Sequence, residues 1–132
     1  MAQTLTEAWD VTWYNSHERV RSLQTTVSAA AMDITLTPET RNGTSRTFRL
    51  KEVRLTIDTA GTTAENFTIT LDSNIGSTHD MRILTKDLTG LTSYNYLFDP
   101  QRIYGPGDKL VFAWPNSESR DVGVEIIYCT GS

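Results

Sequence analysis

The chain of 132 residues carries one cysteine, Cys129, and two histidines, His17 and His79. A single cysteine excludes an internal disulfide, so nothing in its covalent chemistry points to secretion. Its place at the end of a strand-like run reads as a small apolar residue, not a nucleophile. Both histidines lie in polar stretches without a partner at a useful spacing, which is the pattern of surface histidines. H-E-x-x-H, C-x-x-C, a glycine-rich phosphate loop and G-x-S-x-G are all missing. Catalysis needs a nucleophile, an acid or base, and a group to orient it. No such set can be assembled, so the expectation is a non-enzymatic protein without cofactor or metal. Asp72, Asn74 and Asp80 could offer oxygens to calcium, but their spacing matches no calcium loop.

Long apolar runs are missing too, so no membrane span is expected. Nor is positive charge in excess: 12 Lys and Arg against 16 Asp and Glu leave a net charge of −4. That disfavours a binder of phosphate backbones, and no nucleic-acid partner is expected. Arg41, Arg46, Arg49, Lys51 and Arg54 do gather, but Glu39 and Glu52 sit among them, as on a solvated strand face. The opening MAQTLTEAWD has neither a basic nor an apolar leader region, so no signal peptide is expected. The sequons Asn42-Gly-Thr44 and Asn66-Phe-Thr68 therefore carry no weight.

What the chain does have is alternation. It is 38% hydrophobic and 21% charged, too apolar and too well patterned for disorder. Threonine, valine, isoleucine and aromatics recur at every second position from about residue 25 onward, which suits pleated, half-buried strands. Residues 25–37 (TTVSAAAMDITLT) read as one strand, ended by Pro38. Asn42-Gly43 is a strong turn signal. In residues 47–58, Phe48 and Leu50 hold even positions, whereas Val53, Leu55 and Ile57 hold odd ones. A bulge near Lys51-Glu52 is predicted to restore the phase.

Further strands are predicted at 66–72, with Phe67, Ile69 and Leu71 inward, and at 80–85, with Met81 and Ile83 sharing a face. Residues 86–92 read as a polar connection. Tyr94, Tyr96 and Phe98 alternate up to Asp99-Pro100, followed by a brief edge piece over 101–104. Gly105-Pro-Gly-Asp108 is a turn. KLVFAW over 109–114 is apolar on both faces, as in a central strand. DVGVEIIYC over 121–129 turns Val122, Val124, Ile126 and Tyr128 inward. The sum is an all-β antiparallel sandwich, jelly-roll-like, of about seven or eight strands.

The first 24 residues allow two readings. Trp9, Trp13, Val20 and Leu23 fall near helical spacing, and Ser16 could cap a short helix. Trp9, Val11 and Trp13 also alternate, in a β-rich stretch, and an extended arm or strand is the favoured reading. The chain thus divides into an arm over 1–24 and a sandwich over 25–132. Strand phase assigns Trp114, Tyr94 and Tyr96 to the core. Trp9, Val11, Trp13, Tyr14 and Tyr104 remain as candidates for an interface.

The second half also carries a resemblance. FTITLDS (67–73), DMRILTKDL (80–88), Asp99-Pro100, GDKLVFAWPN (107–116) and RDVGVEIIY (120–128) succeed one another. This series resembles small structural proteins of tailed bacteriophages, among them capsid cement (decoration) proteins with jelly-roll-like sandwiches. The resemblance covers roughly residues 46–128, and its most recognisable part is the closing GDKLVFAW…GVEIIY hairpin. It implies a homo-oligomeric virion protein, made in the host cytoplasm and placed on the capsid surface. There it would bind the major capsid protein or other virion proteins and stabilise the assembled shell. Related sandwiches occur in tail and fibre components, so a carbohydrate- or receptor-binding module is the alternative expectation.

Overall fold

A computed structural model describes residues 3, 6–12, 19–38, 40–41, 44–45 and 47–130. Among these residues lie eleven strands: β1 (Thr6–Thr12), β2 (Arg19–Ser28), β3 (Met32–Leu36), β4 (Thr40–Arg41), β5 (Thr44–Ser45) and β6 (Phe48–Ile57). β7 (Asn66–Asp72), β8 (Met81–Asp87), β9 (Ser93–Tyr104), β10 (Lys109–Trp114) and β11 (Asp121–Thr130) follow. One sheet has the order β1-β2-β11-β6-β9 and the other β3-β10-β7-β8, all pairs antiparallel. Apart from the β4–β5 hairpin and the β7–β8 step, the chain from β2 onward changes sheet at every connection. The molecule is a β-sandwich of jelly-roll-like topology.

Alternation builds the core between the sheets. Phe48, Leu50, Leu55, Phe67, Ile69, Leu110, Phe112 and Ile126 are essentially inaccessible. Burying each such side chain stabilises the fold by roughly 1.5–3 kcal/mol. β10 is central to its sheet, between β3 and β7, as its two apolar faces predict. The bulge in β6 lies at Lys51: Leu50 pairs with Tyr128, and Glu52 with the adjacent Ile127. Inward burial passes from Phe48 and Leu50 to Val53, Leu55 and Ile57 across that residue. Gly105-Pro-Gly-Asp108 closes a turn in which the Asp108 N–H donates to the Gly105 carbonyl at 3.2 Å. Gly107 there has φ of 85°, and a Cβ on it would come within 2.7 Å of Asn74.

Several expectations need correction. Residues 25–37 do not form one strand: β2 ends at Ser28, the chain bends at Ala29 (φ 52°), and β3 starts in the opposite sheet. β2 runs across residue 24, and Val20 and Leu23 in it are buried. β1 is a strand paired with β2, in keeping with the extended reading. β9 does not stop at Asp99-Pro100. Glu52 pairs with Leu97 and Leu50 with Arg102, so residues 98–101 bulge and the strand resumes. Met81 is 51% exposed although it stands opposite Leu71, which packs on the core. An irregularity between Ile69 and Thr70 leaves Ile83 and Leu84 both packed on the core. Leu88, placed in a polar connection, is fully buried. The Asn42-Gly43 turn lies outside the described residues, but its flanks pair as Thr40↔Ser45 and Arg41↔Thr44.

Candidate functional site

Of the expected interface residues, Tyr104 alone has a described side chain. In β1, Trp9 stands in register with Ser22 and Val11 with Val20. Trp13 and Tyr14 lie outside the described residues. Tyr104 is a core residue at 5% exposure, with its ring centroid 5.1 Å from that of Phe48. The bulge over 98–101 resets the phase of β9 so that this ring turns inward. Burial pushes the Tyr104 hydroxyl up to about 12, which keeps it neutral. Tyr96, assigned to the core by phase, is instead partly exposed, while Tyr94 is half-buried under Lys86.

The polar candidates can be placed in part. His17 lies outside the described residues, and His79 is exposed at the end of a single 3-10 turn. Burial pushes the Cys129 thiol up, away from the reactive thiolate. Asp80 accepts the Ser73 N–H at 2.8 Å, and Asp108 those of Asn74 and Gly105, so these carboxylates hold loop backbone. Among the described residues, no three His, Cys, Asp or Glu are placed to hold a metal ion.

Two surfaces stand out. The first is the side of the sandwich formed by β8 and β9, which end their respective sheets. Leu97 (66%) and Ile103 (72%) are exposed on β9, and Met81 on β8. Arg102 of β9 reaches across to the Met81 sulfur at 3.9 Å, so the two edges are neighbours. The opposite side of the sandwich is treated differently. At the outer edge of β3, the Gln3 N–H donates to the Asp33 carbonyl at 3.1 Å. The Gln3 Oε1 accepts from the Asp33 N–H at 2.7 Å, and its Nε2 donates to the Ala31 carbonyl at 3.1 Å. The chain thus covers part of the β3 edge with its own residue.

The second surface is a groove of about 740 Å³ on the outer face of the five-stranded sheet. Two cross-strand rows line it. Gln24, Glu125, Arg54 and Asn95 are successive partners across β2, β11, β6 and β9, as are Thr26, Gly123, Thr56 and Ser93. Glu125 accepts the Ser22 hydroxyl at 2.6 Å and the Arg54 guanidinium at 3.1 Å. The Ser22 hydroxyl first, and then Arg54, hold its carboxyl below the usual range. Arg54 also grips Glu52 through two bonds of 2.8 and 3.2 Å, which raises its own pKa. The basic cluster of the sequence therefore contributes a paired guanidinium here, as a solvated strand face should.

No protein-family model matches the chain, and no curated protein matches it either. Sequence reasoning missed the groove because its members are up to 101 residues apart, Gln24 to Glu125, and meet only through strand order. One local signal was there: a glycine inside the DVGVEIIY strand.

Proposed function

We propose that this chain is a structural protein of a tailed-bacteriophage virion, a capsid cement protein. It docks as a homo-oligomer on the assembled head shell and stabilises it by binding that state alone. The observation that carries this reading is the uneven treatment of the two sides of the sandwich. Gln3 covers backbone at the β3 edge, while no described strand pairs with the outer edges of β8 and β9, and Met81, Leu97 and Ile103 on those strands are exposed. Exposed apolar groups along unpaired edges are what proteins avoid unless a partner covers them. The resemblance over residues 46–128 supports the same reading and names the partner, the major capsid protein. The alternative, a carbohydrate- or receptor-binding module, draws its support from the groove over Gly123 and not from the aromatics.

Quantitative mass spectrometry of purified particles tests the proposal. The expected result is a copy number comparable with that of the major capsid protein. A handful of copies would move the chain to the tail, and its absence from particles would overturn the assignment. Leu97→Asp with Ile103→Asp is expected to abolish co-sedimentation with undecorated shells and to leave the far-ultraviolet dichroism unchanged.

A further inference from the structure

Gly123 occupies an outward position as the third residue of β11, between β2 and β6. Its φ is not positive, and a Cβ built on it meets nothing within 4 Å. Neither backbone conformation nor close packing therefore requires glycine there, and glycine weakens a strand interior. What it supplies is a gap. Thr26 and Thr56 flank it on the neighbouring strands, and the groove opens over its bare backbone.

The chemistry around the gap is specific. The charges on this face are already engaged: Arg54 bonds Glu52 and Glu125, and Glu125 also takes the Ser22 hydroxyl. An anionic ligand would meet the Glu125 carboxylate, and a cationic one would meet the Arg54 guanidinium. The other lining groups are the hydroxyls of Thr26, Thr56 and Ser93, the amide of Asn95 and that of Gln24, whose nitrogen also donates to Glu125 at 3.5 Å. Each of these can both donate and accept. Their best match is an uncharged ligand whose own groups donate and accept, presented at about the 4.8 Å spacing of adjacent strands. Sugar rings carry such hydroxyls at comparable separations. An extended peptide, by contrast, satisfies its backbone at a sheet edge and not on a face. The volume lies within the range of small-ligand sites, about 300–1,000 Å³.

We infer that the groove over Gly123 is a binding site for a neutral glycan, with Asn95, Ser93, Thr56, Thr26 and Gln24 as the contacting residues. Leu97 lies two residues beyond Asn95 on the same outward face of β9, but glycan binding and shell docking are read by separate measurements, so each can fail without the other.

The test uses the full chain. Neutral oligosaccharides built from glucose, mannose, galactose or N-acetylglucosamine are titrated against the isotope-labelled protein, with sialylated glycans and an unstructured peptide as controls. The expected result is saturable shifts of the Asn95 and Gln24 side-chain amides with at least one neutral oligosaccharide. Asn95→Ala should weaken that binding about tenfold, the loss of one ordinary hydrogen bond. Gly123→Thr should abolish it, with the rest of the spectrum intact. Silence across the neutral panel, undiminished binding by Gly123→Thr, or shifts only with the acidic glycans or the peptide would each overturn the inference. Particle copy number is unaffected by any of these results.

Discussion

The carboxylate of Glu118 accepts three hydrogen bonds from Thr62 and Thr63, more than fifty residues earlier in the chain. They come from the Thr62 N–H at 2.6 Å, the Thr63 N–H at 2.8 Å and the Thr62 hydroxyl at 2.8 Å. Arg120 adds a contact at 3.2 Å. Two neighbouring carboxylates work in the same way. Glu65 accepts the Ser117 N–H, and Asp58 accepts those of Thr59 and Asp121. One end of the sandwich is thus tied by carboxylates to loop backbone, where a larger domain would have more apolar contact.

This arrangement predicts acid sensitivity. The Thr63 N–H, then the Thr62 hydroxyl and N–H, bring the Glu118 carboxyl down to about 2 from its ordinary value of 4.5. A lowered folded-state pKa means that the unfolded chain takes up the proton first as pH falls. The contribution of Glu118 is therefore full above about pH 4.5 and is lost progressively down to about pH 2. Glu118→Gln is expected to lower the midpoint of urea unfolding at neutral pH. Its difference from the natural chain should shrink through that window and vanish at its lower end. A difference that stays constant with pH would show that the ionised form is not what matters.

Asn116 holds the same end from inside. It is 3% exposed with φ of 49°. Its amide nitrogen donates to the carbonyls of Ala30 (2.7 Å) and Arg120 (2.9 Å), and its oxygen accepts the Arg120 N–H at 2.9 Å. Asn116→Ala removes all three bonds and leaves a non-glycine residue in the left-handed region. The expected cost is about 3 kcal/mol in unfolding free energy. Asn116→Gly loses the same bonds without the backbone penalty, so it should cost about 1 kcal/mol less. Equal losses would mean that the turn relaxes out of the left-handed conformation in the alanine variant. Denaturant titration of both proteins measures the difference.

How much of this was legible depends on whether the cause was local. The closing strands could be read because each alternates without interruption, and the Gly105–Asp108 turn because its glycine and proline dictate the conformation. The phase change in β6 correctly indicated a bulge at Lys51. The same signal, Val27 at an odd position and Met32 at an even one, went unread in residues 25–37. There the slip is not a bulge but the crossing from one sheet to the other at Ala29. A phase change alone cannot distinguish the two; the small, unpatterned Ser28-Ala-Ala-Ala31 run could have. Leu88 left no signal, because a single apolar side chain that plugs the core from a turn has no period. Tyr104 was misjudged for a related reason: four bulged residues upstream reset its phase. The groove was beyond any local reading, since strand order alone makes Gln24, Arg54, Asn95 and Gly123 neighbours.

Gly123 offers a last prediction, and it bears on why the groove exists. If the fold needed this glycine, a larger residue would destabilise it. The structure predicts the reverse. Threonine suits a strand better than glycine by about 1 kcal/mol. At this position it would face Thr26 and Thr56 across the two neighbouring strands, pairs worth a few tenths of a kcal/mol each. Gly123→Thr should therefore raise the unfolding free energy by about 1 kcal/mol, seen as a higher urea midpoint with an unchanged slope. A loss of stability would show that the glycine serves the sheet itself. A gain would mean that the chain forgoes stability at the centre of its main sheet to keep this surface open, and a fold has no use for such a gap unless something else occupies it.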